Sequence, residues 1–214
     1  MPTESAFDAL PLVAILRGLT PDRALDVARI VWDAGIRIVE VPLNSPEPFR
    51  SIEVLANDGG PPGSLIGAGT VLTVADVGRT HAAGGRLAVA PNTDTAVIRA
   101  ALERGMVAMP GVATATETLA AVAAGATRLK LFPAVSLGPK HLKALSAVLP
   151  AGVGVYPVGG VGAADIYDWL AAGAAGFGFG SDIFKPDYTF QDIAERARYL
   201  VQAYREARER LAGR

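Results

Sequence analysis

Eight short apolar runs, alternating with helical segments, predict an α/β fold: a (β/α)8 barrel formed as a single domain over residues 1–214. The runs recur at intervals of roughly 20 to 28 residues, about the length of one strand-plus-helix unit. Eight parallel strands are also the number that closes such a barrel. A doubly wound open sheet is the rival, since it uses the same alternation; the eight-fold count and the absence of Gly-x-Gly-x-x-Gly after the first strand, where Arg17-Gly18-Leu19-Thr20 stands instead, favour the barrel.

The strand candidates are Leu12–Leu16, Ile36–Val41, Leu65–Ala68, Leu87–Ala90, Met106–Met109, Leu129–Phe132, Val153–Val158 and Ala175–Phe179. Helix starts fall between them. Thr20-Pro21-Asp22 and Ser45-Pro46-Glu47 each offer an N-cap, a proline at the first helical position and an acid in the first turn. Thr114 and Glu117 have the spacing of a capping box. Ala34-Gly35, Ala83-Gly84, Arg104-Gly105, Ala124-Gly125 and Ala172-Gly173 supply the helix stops. The last helix, Phe190 to Leu211, is amphipathic and charged, with a solvated outer face.

Composition narrows the function classes. Half of the 214 residues are apolar and 19% are charged, enough for a substantial core. Twenty basic residues against 21 acidic ones leave a net charge of −1, with no electrostatic footprint for nucleic acid or an anionic membrane. The longest uncharged stretch, Ala144 to Ala164, is broken by Pro150, Pro157 and several glycines, so no membrane span is expected. Acid stands near the N-terminus where an export signal needs base, which points to a cytoplasmic protein. The absence of cysteine excludes disulfides, thiolate metal sites and a cysteine nucleophile. His81 and His141 are far apart, so no histidine-rich metal site is expected and neither is assigned a role.

In a barrel of this type, chemistry sits at the C-terminal strand ends, and side chains alternate between interior and helix layer. Arg17 shares a face with Val13 and Ile15, and Glu40 shares one with Ile36 and Ile38. Lys130 is opposite in sense to Leu129 and Leu131. If those faces point inward, Arg17, Glu40 and Lys130 converge at one mouth. Lys130 is the only one of four lysines that lies within an apolar strand. An amine in apolar surroundings beside another cation is pushed toward its neutral, nucleophilic form, which condenses with a ketone to a Schiff base. Glu40 could then move the protons of dehydration and enamine formation. Each residue also has a plainer role. A strand lysine can carry its head to the rim, Glu40 can serve as a counter-ion, and Arg17 can cap a helix C-terminus or bridge two loops. Gly159-Gly160 and Gly178-Phe179-Gly180-Ser181 close the seventh and eighth runs, where this fold commonly holds phosphate on its backbone; glycine also serves tight turns there. Asp182 fits an early helix-turn acid.

Taken together, Ala14-Ile15-Leu16-Arg17-Gly18, Val39-Glu40-Val41-Pro42-Leu43-Asn44-Ser45-Pro46, Gly67-Ala68-Gly69-Thr70, Ala90-Pro91-Asn92, Leu129-Lys130-Leu131-Phe132-Pro133, Pro157-Val158-Gly159-Gly160 and Gly180-Ser181-Asp182 resemble the 2-keto-3-deoxy-6-phosphosugar-acid (KDPG/KHG) aldolases. The resemblance runs from the first strand to the last helix. It implies a TIM (β/α)8 barrel, a class I pyruvate aldolase activity, a homotrimer, and no metal or other cofactor. By position it makes Lys130 the Schiff-base lysine and Glu40 the general acid and base. Arg17 and Thr70 would hold the keto-acid end, and Gly159, Gly160, Gly180 and Ser181 the phosphate. Val158, Phe132 and Pro91 would complete the substrate contacts. Val158 and Asn44, where the phosphogluconate branch usually has threonine and arginine, favour the branch acting on 2-dehydro-3-deoxy-6-phosphogalactonate. The alternatives are the phosphogluconate or 4-hydroxy-2-oxoglutarate activity on the same lysine, and, from the phosphate loops alone, a sugar-phosphate-binding barrel without catalysis.

Overall fold

The computed structural model describes residues 2–213, with side chains from residue 6 onward; Met1 and Arg214, the two ends of the expected 1–214 domain, lie outside the described residues. The chain alternates short strands with helices: α1 (Pro2–Ala9), β1 (Leu12–Ile15), α2 (Pro21–Asp33), β2 (Ile38–Pro42), α3 (Pro48–Asp58), β3 (Leu65–Gly69), α4 (Val74–Ala82), β4 (Leu87–Val89), α5 (Thr95–Glu103), β5 (Val107–Met109), β6 (Gly111–Val112), α6 (Ala115–Ala123), β7 (Arg128–Leu131), α7 (Ala134–Ser146), β8 (Gly154–Pro157), a short 3-10 turn, α8 (Ile166–Ala171), β9 (Phe177–Phe179) and α9 (Phe190–Ala212). All strand pairs are parallel. They form a six-stranded ladder, β5-β4-β3-β2-β1-β9, and a three-stranded one, β6-β7-β8.

Each strand face belongs to one of two apolar clusters, which is the alternation expected of strands covered on both sides. Leu12, Ala14, Leu16, Val39, Val41, Leu129, Leu131, Phe177 and Phe179 pack with the helices. Val13, Ile15, Ile38, Leu65, Leu87, Val89, Met109, Tyr156 and Val158 form the inner cluster, drawn from both ladders. Arg17, Glu40 and Lys130 therefore fall on the inner parity of β1, β2 and β7.

Several elements depart from the sequence expectation. The fifth strand is split because Pro110 has no N–H to continue a ladder. β5 pairs back to β4, while β6 pairs forward to β7. α1 was not foreseen; its Ala6 and Phe7 enter the inner cluster, with Phe7 edge-on to Tyr156 at 5.5 Å. The expected helix start at Ser45-Pro46-Glu47 is wrong. α3 begins at Pro48 after Glu47 adopts a left-handed φ of 39°, and the Ser45 hydroxyl instead accepts the Gly18 N–H at 2.9 Å. Thr20 stands at the N-cap of α2 but makes no side-chain cap bond. The Thr114–Glu117 capping box is present, and all five glycine stops have positive φ. No helix among the described residues is long and apolar enough to cross a membrane.

Candidate active site

The C-terminal strand ends surround a cavity of about 370 Å³, within the size range of small-molecule sites. Arg17, Lys130, Phe132, Val158, Gly159, Gly160, Gly180 and Ser181 line it, together with Ile15, Val161, Gly178 and Asp182. Eight of the eleven sequence-predicted site residues thus share one cavity. Glu40, Thr70 and Pro91 are not in its wall. Thr70 and Pro91 follow the ends of β3 and β4; the backbone of Pro91 lies against Gly111, where a Cβ would come within 2.2 Å of it.

Lys130 is held by β7, paired with Gly111 on one side and Tyr156 on the other. It is 5% exposed, and its Nζ lies 5.2 Å from the centre of the Phe132 ring. Glu40, on β2, is paired with Ile15 and Gly67, and is 1% exposed. Neither carboxyl oxygen has a hydrogen-bond partner in the protein. Burial pushes this carboxyl above the ordinary glutamate range, against the opposing pull of Lys130 and Arg17.

Gly69 explains how a carboxylate fits there. Its missing Cβ would stand 2.4 Å from Glu40 Oε1 and 2.7 Å from Cδ, so any side chain would displace the acid. The parity of Leu65, Gly67 and Gly69 was the available signal. Thr70, next along, has a left-handed φ of 57°, which ends the strand alternation at that point. Arg17 is the exposed member: Nη1 donates to Asn44 Oδ1 at 2.5 Å. This is the loop-bridging role open to Arg17 from the sequence; residue spacing does not report which loops touch, so its partner, Asn44, could not be named there.

Gly180 stands apart from the other glycines of the cavity. A Cβ there would meet nothing within 4 Å, and its φ is not left-handed. Neither packing nor backbone conformation calls for glycine at this point of the cavity wall, and its backbone is open to close approach from the cavity. Gly160, by contrast, has φ 72° and packs against Val135. Asp182, expected as a helix-turn acid, is in the cavity wall, and no helix begins there.

A family model described as KDPG and KHG aldolase matches residues 3–196. The chain belongs to that family. As a KDPG/KHG aldolase it is a carbon–carbon lyase. It is 51% identical over 194 residues, 91% of each chain, to a probable 2-dehydro-3-deoxy-6-phosphogalactonate aldolase of Rhizobium meliloti (strain 1021). The native KDPGal structure superposes with a TM-score of 0.91 at 46% identity, covering 94% of this chain and 97% of that one. The KDPG aldolase of Legionella pneumophila, with pyruvate captured at low pH as a covalent carbinolamine intermediate, superposes at 0.80 with 29% identity, covering 97% and 98%.

Proposed function

We propose that this aldolase reversibly cleaves 2-dehydro-3-deoxy-6-phosphogalactonate to pyruvate and D-glyceraldehyde 3-phosphate through a Schiff base on Lys130. The observation that carries this is the placement of Lys130. A buried amine opens into a cavity whose wall also holds Arg17 and the Gly159–Gly160 and Gly180–Ser181 loops, and Glu40 adjoins it. The carbinolamine of the Legionella pneumophila relative and the name of the Rhizobium meliloti relative agree with it.

In this mechanism Lys130 Nζ attacks the C2 ketone and forms the C–N bond. Glu40, which burial favours in its protonated form, supplies the proton that lets water leave, and an iminium results. A bridging water carries protons between Glu40 and the reacting atoms, because Glu40 is not part of the cavity wall. The Glu40 carboxylate left by that transfer takes the C4 hydroxyl proton through the bridging water as the C3–C4 bond breaks, its electron pair flows into the iminium, and the same proton is then available for C3 of the enamine. Glyceraldehyde 3-phosphate leaves. The remaining enamine is protonated at C3, and hydrolysis frees pyruvate and the lysine. Arg17 holds the carboxylate, Phe132 bounds the three-carbon unit, and Gly159, Gly160, Gly180 and Ser181 hold the phosphate; Thr70 and Pro91 stand outside the cavity wall and are assigned no substrate contact. Val158 has no hydroxyl to bond the C4 oxygen of one epimer, so that epimer loses its advantage.

We read the two ladders as one closed eight-stranded barrel in a single domain. Lys130 N–H donates to the Pro110 carbonyl at 2.8 Å across one seam. At the other, Ala175 N–H donates to Val155 O at 2.9 Å and Val158 bridges Gly178. A cytoplasmic homotrimer is the assembly that the family resemblance implies. The test is borohydride reduction with pyruvate, followed by peptide mass analysis and kcat/KM on both C4 epimers. An irreversible adduct on Lys130 and a preference for the galactonate epimer are expected. An unmodified Lys130 would overturn the mechanism, and a clear gluconate preference would overturn the substrate.

A further inference from the structure

The segment joining β9 to α9 does more than connect them. Ile183 and Phe184 are buried, and their N–H groups both donate to the Gly180 carbonyl, at 3.0 and 2.9 Å, which anchors the near end beside the cavity. The far end is held from α2. Arg23 Nη1 donates to the Pro186 carbonyl at 2.5 Å and Nη2 to the Tyr188 carbonyl at 2.9 Å, while its guanidinium lies 5.4 Å from the Phe190 ring. The Tyr188 hydroxyl reaches back and donates to the Ser181 carbonyl at 3.2 Å. Arg196 covers the Tyr188 ring at 4.5 Å. Between these anchors Pro186 packs on Gly18, where a Cβ would come within 2.7 Å of Pro186 Cγ. One strap therefore touches both Ser181 and the residue following Arg17.

We propose that Arg23 and Tyr188 are positioning residues for the phosphate end of the substrate: by pinning residues 182–189 they hold Ser181 at a fixed separation from Arg17 and so set the length of dianion the cavity accepts. This rests on the assignment of the two anionic ends given above. Neither residue is in the cavity wall, so each acts through the strap. A planar guanidinium satisfies two carbonyls at once, which a lysine ammonium on a flexible stem does less well. Removing it frees the strap and, with it, the Ser181 end of the site, while Lys130 and Glu40 on β7 and β2 keep their places.

The experiment compares R23A, R23K and Y188F with the parent on the phosphorylated keto acid and on its dephosphorylated counterpart, with the rate of borohydride-trapped pyruvate adduct as a third readout. For R23A, KM for the phosphorylated substrate is expected to rise about tenfold with kcat little changed, the consequence of losing charge-assisted bonds that order the binding loop. R23K should fall between, and Y188F should shift KM about twofold to threefold, as one exposed neutral bond warrants. Dephosphorylated-substrate kcat/KM and adduct rate should stay at parental values in all three. Equal losses on both substrates would reduce the strap to a general brace and overturn the proposal, as would an unchanged KM in R23A and Y188F. Should R23A not fold, Y188F alone decides. Adduct formation in the parent reports separately on the lysine mechanism, so failure of one is distinguishable from failure of the other.

Discussion

A carboxyl group that is 1% exposed, with neither oxygen bonded to protein, keeps its proton to higher pH than a glutamate in water. For Glu40 this links catalysis to stability. The folded chain binds the proton more tightly than the unfolded chain, so stability falls as pH rises from the ordinary glutamate range through the raised folded value. Below that window both states are protonated and no penalty exists; above it the penalty is complete. E40Q, neutral at every pH, should therefore lose most turnover yet gain thermal stability near neutral pH. A kcal/mol corresponds to about 2–4 °C at this chain length. The gain over the parent should vanish in acid, which a series of melting curves from acid to neutral pH would show; a pH-independent difference would rule out this origin. Gly69 shows the same site from the side of space, because the room for this acid exists only where a neighbouring Cβ is missing. Parity along β1, β2 and β7 made Arg17, Glu40 and Lys130 legible in the sequence, since alternation is local. Asn44 as the partner of Arg17, and a cavity wall that does not include Thr70 and Pro91, were not legible, because they depend on how loops from different units meet and on a left-handed residue that ends the alternation.

At the scale of elements, the glycine stops and the capping box were readable because each is decided within one turn of chain, whereas α1 and the split fifth strand were not. α1 has little to mark it locally; it earns its place by filling the inner cluster at the N-terminal strand ends, away from the chemistry. Phe7 is 5% exposed, edge-on to Tyr156, and its ring lies 4.3 Å from the Arg128 guanidinium. Truncating a buried phenylalanine typically costs about 3–5 kcal/mol, and the loss of ring contacts places F7A in that range. The expected outcome is a lower denaturant midpoint with KM and kcat unchanged under conditions where the variant remains folded. A large change in KM at 25 °C, with the fold intact by near-UV circular dichroism, would mean that α1 shapes the catalytic mouth as well as its base.

For the molecule as a whole, the proposed closed barrel requires the two parallel ladders to behave as one ring. Pro110 explains why the ladder breaks between β5 and β6 without separating them: it cannot donate, but its carbonyl still accepts Lys130 N–H at 2.8 Å. The opposite seam rests on Ala175 N–H to Val155 O and on the Val158–Gly178 bridge. The inner cluster spans both ladders, so opening either seam would expose Val89, Met109, Tyr156 and Val158 together. Amide exchange should then be uniform around the ring, because a seam backed by buried apolar contacts opens only with the rest of the core. The Lys130 and Ala175 amides are expected to exchange as slowly as those of Val39 and Glu40 in the middle of β2. Exchange at either seam as fast as at an exposed loop would show that the arcs open independently. Lys130 would then sit at a moving edge, a poor support for an amine that must meet a carbonyl in a fixed geometry. Slow exchange would tie the seam to the proposed chemistry, because one of the hydrogen bonds across it is donated by the backbone of Lys130, the proposed Schiff-base lysine.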